Sequence, residues 1–504
     1  MQKRKIVVNA VMSVLQIFVN MAVLFFLYRF LIDIIGVEKL GIWSIVLGTV
    51  SISRLGDLGF SGSVVKFVAK YVAHDEELLV SGIVQTAVIS IGLFIGLLLV
   101  IMYFIAQWGL AFIIPQNGLE IAISILPYAF FSFWISTIAG VFQSGLDGYQ
   151  RIDIRALIST GSTVLNLVIC LILAPMYGLL GLAYAQVIQS LVVAFFSWLF
   201  LRRCLPILPF FLYRWNQKLF REMLGYGVNF QIISIAGMLC DPITKGLLSK
   251  FGGLAQVGYY EMGSRMITQF RAIIISANQT LVPAIATLQE TNKGYIRNVY
   301  LSSYRLLFFI ILPSFALIIS LIPVISVILI GHYESLFVVF SVILAIAFLI
   351  NTLNVPCYTA NLGIGKLKWN TISIVSIGIL NACLGAILGY LFSGLGVVIA
   401  WSIAISIGGI IVIIPYHLEH KIPFNKLFPK EGIIALFLNL IGIFTSTMLY
   451  DNFKNSMSPI IIGSIILLLF SIILTIQFYF YPDRNRIIGF VRRELINRTK
   501  TNPI

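Results

Sequence analysis

Charge is what this sequence has least of. Only 11% of its 504 residues are Asp, Glu, Lys or Arg, against about 25% in a soluble globular domain. With a mean hydropathy of +1.00, the chain cannot cover a water-facing surface, which excludes a soluble enzyme. Cysteine is also scarce. Cys170, Cys240, Cys357 and Cys383 sit inside apolar runs and Cys204 in a basic loop. That placement excludes a disulfide framework or a Cys-ligated metal and leaves five small apolar residues. The four histidines (His74, His332, His417, His420) are read as loop residues without metal-ligand spacing. No Gly-x4-Gly-Lys-Ser/Thr occurs, so no P-loop ATP use is expected; Gly36 and Gly41 are followed by Ile42. Paired carboxylates or a Ser–His cluster within the apolar runs, which an intramembrane enzyme would need, are missing too. The expectation is a protein that is not an enzyme and carries no cofactor.

What is present is apolar sequence. Runs such as Ile91 to Ile105 and Ile460 to Ile476 are continuous, as a helix in lipid requires, rather than alternating as in a transmembrane barrel. Each is near the ~20 residues that cross a ~30 Å hydrocarbon layer. About fourteen spans are predicted: 8–34, 41–65, 79–105, 121–146, 155–176, 180–201, 223–248, 258–286, 304–330, 336–361, 370–391, 395–416, 432–450 and 458–480. The run behind Lys3-Arg4-Lys5 is too long for a cleaved signal and is taken as the first span.

Orientation follows from the basic residues. With the N-terminus cytoplasmic, 26 of the 34 Lys and Arg fall on the inside, and only Lys39, Lys250 and Lys454 on the outside. Both termini are then cytoplasmic, and a basic tail follows the last span. The net charge of +15 is explained by topology and anionic lipid rather than by nucleic acid.

The chain also repeats itself. At a shift of 217, Gly36 meets Gly253, Gly41 meets Gly258, Trp43 meets Tyr260, Arg54 meets Arg271, Gly148 meets Gly365 and Arg151 meets Lys368. At 215, Asn166 meets Asn381, Gly181 meets Gly396 and Ala185 meets Ala400. Two six-helix lobes are expected, 1–201 and 223–417, joined by a linker at 202–222. Two further helices (418–480) and the tail (481–504) follow. An even number of spans makes the repeat parallel, with a substrate site between the halves near the midplane. Pro242, Pro283, Pro313, Pro323 and Pro356 are read as interruptions of spans in the second half.

Ionisable residues inside spans are functional candidates, because burying them is costly. Arg29–Asp33, Asp241–Lys245 and Glu261–Arg265 lie at i,i+4, and Arg54–Asp57 at i,i+3, so each can neutralise its partner in a purely structural role. Arg54 and Arg271 lie thirteen residues in from an outside loop, about 20 Å deep. They occupy equivalent places in the two halves, and Arg271 has no acidic residue within one helical turn. A guanidinium at that depth suits an anion, phosphate above all, in an aqueous cavity.

Gly36-Val-Glu-Lys-Leu-Gly-Ile-Trp-Ser44 followed by Arg54-Leu-Gly-Asp-Leu-Gly-Phe60 resembles the first-to-second-helix region of Wzx-type polysaccharide flippases. These belong to the multidrug/oligosaccharidyl-lipid/polysaccharide (MOP) exporter superfamily. Gly148-Tyr-Gln-Arg151, Gly178-Leu-Leu-Gly181, Gly258-Tyr-Tyr260 and Gly363-Ile-Gly-Lys366 are similar to further features of that family. The resemblance implies an all-α, V-shaped membrane bundle with a cationic cavity in the bacterial inner membrane. It implies flipping of an undecaprenyl-diphosphate-linked oligosaccharide for O-antigen, capsule or exopolysaccharide, with a polymerase and a chain-length regulator as partners. Arg54 and Arg271 would bind the diphosphate, with Arg29 and Arg265 secondary. Asp57, Asp241 and Glu261, with Asp33 and Lys245 paired to Arg29 and Asp241, would couple to H+ or Na+ or hold the arginines in place. A MurJ-type lipid II flippase and a multidrug antiporter of the same superfamily are the alternatives, and a membrane scaffold with no use for cavity charge is a third.

Overall fold

The structure is a computed structural model, described for residues 2–53, 60–210, 213–279, 281–424, 430–481 and 484. Among these residues it is helical throughout, with no strand. The helices in chain order are α1 (Gln2–Ile35), α2 (Val37–Ser51), α3 (Phe60–Val72), α4 (Glu77–Ile113), α5 (Gln116–Gly148), α6 (Ile152–Tyr177), α7 (Leu179–Cys204) and α8 (Gln217–Gly252). They continue as α9 (Leu254–Asn278), α10 (Leu281–Thr291), α11 (Lys293–Ile330), α12 (Ser335–Thr352), α13 (Val355–Ile364), α14 (Lys368–Glu419), α15 (Lys430–Phe453) and α16 (Pro459–Phe480).

Among the described residues, ten helical segments are long and apolar enough to cross a membrane. One is the 52-residue α14, which bends through non-helical Phe392 and Ser393 and so holds two of the expected spans. The other three expected spans correspond to α2 with α3, to α8, and to α9 with α10. The latter two carry the Asp241–Lys245 and Glu261–Arg265 charges that lower their hydropathy. Exposed Leu93, Phe104, Trp108 and Phe112 on α4 show a face that only lipid would cover.

The chain forms two compact units. The first comprises residues 1–273 and 370–404, the second 274–369 and 405–504. In the first unit α5 packs along α7, α6 along α7 and α1, and α8 against α2, α3 and α4. In the second, α11 is the hub for α12, α15 and α16. A buried aromatic cluster around Tyr300, Tyr304, Phe308 and Tyr416 fills its interior. His417 belongs to that cluster. It is not a loop residue but lies in the last turn of α14, 1% exposed, with Nε2 2.7 Å from the Tyr300 hydroxyl.

Prolines act where helix chemistry predicts. Pro242, Pro313 and Pro323 lie inside α8 and α11. Pro356 opens α13 and Pro283 falls in the first turn of α10, where the missing N–H has no intrahelical partner to lose; the expected spans 336–361 and 258–286 are thus each built from two helices, the second beginning at its proline.

The repeat is visible in backbone geometry. Gly36 (φ 81, ψ 164) and Gly253 (φ 84, ψ 172) adopt the same conformation before α2 and α9. A Cβ on Gly41 would strike the carbonyl oxygen of Leu254, and one on Gly258 would strike that of Val37. Val37 and Leu254 are themselves 217 apart, so the contact is reciprocal. At the shift of 215, Gly178 (φ 59, ψ −130) corresponds to Ser393 (φ 55, ψ −145). A Cβ on Gly181 would strike the Leu173 carbonyl and one on Gly396 the Leu388 carbonyl, again 215 apart.

One expected match shifts. The turn after α5 closes with Arg151 N–H on the Leu146 carbonyl, and the turn after α13 with Lys366 N–H on Asn361. Left-handed Gln150 and Gly365 stand at the same place in each turn. The register there is therefore 215, and Gly148–Gly365 and Arg151–Lys368 fall two residues out of step.

Candidate functional site

Charges gather where α8 and α9 run together in the first unit. Asp241 and Lys245 share one face of α8, and Glu261 and Arg265 one face of α9, each pair one turn apart. Lys245 Nζ lies 2.7 Å from Asp241 Oδ2 and 2.8 Å from Glu261 Oε2. Arg265 Nε donates to Glu261 Oε1 at 2.7 Å. What the sequence shows as two separate pairs is thus one network of two acids and two bases, joined through Lys245. The Lys245 and Glu261 side chains are 2% and 7% exposed, whereas those of Asp241 and Arg265 are 49% and 48% exposed. Buried charges of this kind persist only when paired and hydrogen-bonded.

Neutral neighbours complete the inner pair. Ser44 of α2 donates to Glu261 Oε2 at 2.8 Å, and the Tyr28 hydroxyl of α1 lies 3.5 Å from Glu261 Oε1. Asn381 of α14 braces α8 beside its proline, donating to the Cys240 carbonyl at 3.1 Å and to Thr244 Oγ1 at 2.9 Å. In the sequence Asn381 stands out only as a repeat landmark and Ser44 only as the end of the Gly36–Ser44 stretch, and Tyr28 does not stand out at all. The register could have found Ser44, which sits 217 residues before Glu261.

The network borders a cavity of about 450 Å³, walled by Asp241, Lys245 and Arg265 with Ser51, Ser136 and Gln186 among its other lining residues. Aligned around it are a half-exposed cation, a half-exposed carboxylate and neutral polar groups from α2, α5 and α7. That lining can hold a polar or anionic group within a membrane-spanning unit.

Of the remaining expected residues, those that are described lie elsewhere. Arg29 and Asp33 form their own ion pair on α1 at 3.4 Å. Arg271 lies half-buried on α9, six residues beyond Arg265, and does not line this cavity. Arg54 and Asp57 lie outside the described residues. Among the described residues no group of His, Cys, Asp and Glu could hold a metal ion.

A multi-pass helical protein with a polar, charge-bearing cavity among its spans has the build of a transporter. Comparison with known proteins narrows this. The polysaccharide biosynthesis protein family matches residues 4–289, more than half the chain, and the chain belongs to that family. No curated protein matches the sequence. Solved structures share the fold at low identity. The lipid II flippase MurJ in an inward closed conformation superposes with a TM-score of 0.71 at 15% identity, covering 92% of this chain and 98% of its own. An inward-facing multidrug resistance MATE family transporter gives 0.65 at 15% identity, over 80% and 98%. A MOP superfamily transporter from Pyrococcus furiosus, whose binding pocket is described as having reversed polarity, gives 0.58 at 16% identity, over 82% and 95%.

Proposed function

We propose that the protein flips an undecaprenyl-diphosphate-linked oligosaccharide from the cytoplasmic to the periplasmic leaflet of the bacterial inner membrane, by alternating access, for O-antigen, capsule or exopolysaccharide assembly. The observation that carries this is the Arg265 guanidinium, held at the wall of a polar cavity by a buried carboxylate, in a family of polysaccharide biosynthesis proteins. A diphosphate needs such a partner, since guanidinium binds it in fork geometry. Glu261 fixes the guanidinium's direction, and Lys245 fixes Glu261. Arg271, Arg54 and Arg29 are further candidates for the same anion along its path. To Asp241 we assign the coupling of transport to an ion gradient. A proton or Na+ on its carboxylate would loosen its hold on Lys245 and leave the cavity one charge more positive, readier for an anion. Glu261, Asp57, Asp33 and Lys245 serve to orient the arginines.

The test is complementation. Wild type, Arg265→Ala, Arg271→Ala and Arg54→Ala are expressed at matched levels in a strain lacking its own polysaccharide flippase, and surface polymer is measured. Wild type should restore polymer, and Arg265→Ala should lower it by about tenfold or more, the worth of a charge-assisted bond. An Arg265→Ala strain with wild-type polymer would overturn the assignment of the site. Rescue of growth in a strain depleted of its lipid II flippase, without polymer in the first strain, would move the reading to lipid II.

A further inference from the structure

The end of α7, the connection to α8 and the first turns of α8 carry five basic residues within twenty positions: Arg202, Arg203, Arg214, Lys218 and Arg221. All five are exposed, and among the described residues none forms an ion pair. This contrasts with the neighbouring basic turn, where Arg151 is tied to Asp153 and Arg155 to Asp147.

The segment is not a loose tether. Leu205 and Leu208 are fully buried. The backbone N–H groups of Tyr213 and Arg214 both donate to Gln85 Oε1, and that of Asn216 donates to Thr86 Oγ1. Trp215 Nε1 reaches Ser90 Oγ at 2.9 Å. Asn216 then caps α8 by accepting from Lys218 and Leu219. The side chains left facing outward are therefore held in place.

Those side chains are of two kinds. Ile207, Phe210, Tyr213 and Trp215 are exposed apolar or aromatic groups, and the arginines lie over aromatic rings, Arg202 over Trp198 at 5.5 Å and Arg214 over Tyr213 at 5.4 Å. Trp198 also meets Phe210 edge-on, which joins the segment to the exposed Phe195 and Leu191 on the outer face of α7. Gln85 and Ser90 lie about 12 and 20 Å along α4 from its start at Glu77, so the segment hydrogen-bonded to them lies beside the N-terminal part of that helix. Exposed aromatic rings with basic groups beside them are the pairing that suits lipid headgroups.

We propose that residues 202–210 and 213–221 form a fixed binding surface for anionic phospholipid headgroups, with the aromatic side chains seated among the chains of the same leaflet and the arginines on the phosphates. The surface is separate from the charged cavity and does not depend on the substrate carried there.

The experiment uses the purified full-length protein in detergent with equal amounts of phosphatidylglycerol and phosphatidylcholine, and counts retained lipids by native mass spectrometry. Wild type should retain phosphatidylglycerol in clear preference, and rising salt should weaken that preference. Arg202→Gln/Arg203→Gln/Arg214→Gln should lower phosphatidylglycerol affinity about fivefold or more. Lys293→Gln/Arg297→Gln, on exposed positions of α11, should leave it unchanged. An undiminished preference in the triple variant would overturn the proposal and leave the surface to a soluble acidic partner. Equal loss in the α11 variant, or a wild-type preference insensitive to salt, would overturn it as well.

Discussion

At the shift of 217 residues, Tyr28 corresponds to Lys245, Ser44 to Glu261 and Gly48 to Arg265. The two sets of positions meet in the same place: Tyr28 and Ser44 both reach Glu261, and a Cβ on Gly48 would lie 3.5 Å from the Lys245 side chain. Backbone geometry around them is equivalent, yet one side supplies a phenol, a hydroxyl and a bare backbone, and the other an ammonium, a carboxylate and a guanidinium. The neutral side satisfies the carboxylate and makes room, while the charged side sets the electrostatics. A cavity polarised from one side can orient a bound group that is charged at one end.

The comparison can be broken most severely at its centre. Glu261→Gln leaves two cations around a lost carboxylate and should destabilise the protein by about 3–5 kcal/mol, read as a fall in melting temperature in detergent. Making the second side resemble the first, with Lys245→Tyr/Glu261→Ser, removes both partners. It should cost less than the single change while abolishing transport. If the double variant is the less stable of the two, charge pairing is not what holds this region. A smaller effect is expected at Ser44→Ala, which deletes one hydrogen bond to an ionised acceptor. About 1.5 kcal/mol is expected, and no shift in melting temperature would show that water replaces the hydroxyl. The smallest change tests the other register. Ser393 holds a backbone conformation that its counterpart Gly178 adopts without strain, so Ser393→Gly should raise stability by about 1 kcal/mol. A variant less stable than wild type would mean that the Ser393 side chain has a packing role.

Much of this was legible in sequence. The apolar runs specify helices in lipid, and the i,i+4 spacing of Asp241 with Lys245 and of Glu261 with Arg265 specifies ion pairs, because both signals are local. Lys245 bridging the two pairs was not legible, since no local spacing records which faces of α8 and α9 meet. Gln150 also hid its turn. Its left-handed conformation is what Gly365 advertises by composition, so matching glycines placed the register two residues off. His417 was misread because it lies one residue past the expected end of its span at 416, and no local signal records that the Tyr300 hydroxyl and the Phe424 ring meet it.

The reciprocal glycine contact between α2 and α9 has a further meaning. A contact in which residue i touches j while the counterpart of i touches the counterpart of j is the signature of a two-fold homodimer. Here both partners belong to one polypeptide. In a homodimer, a substitution on this axis changes both sides at once, and an acidic residue at the Ser44/Glu261 position would face its own copy. Fusion into a single chain removes that constraint. Ser44 and Glu261 can then diverge, and a serine donates to a glutamate at 2.8 Å where symmetry would have set two like charges against each other.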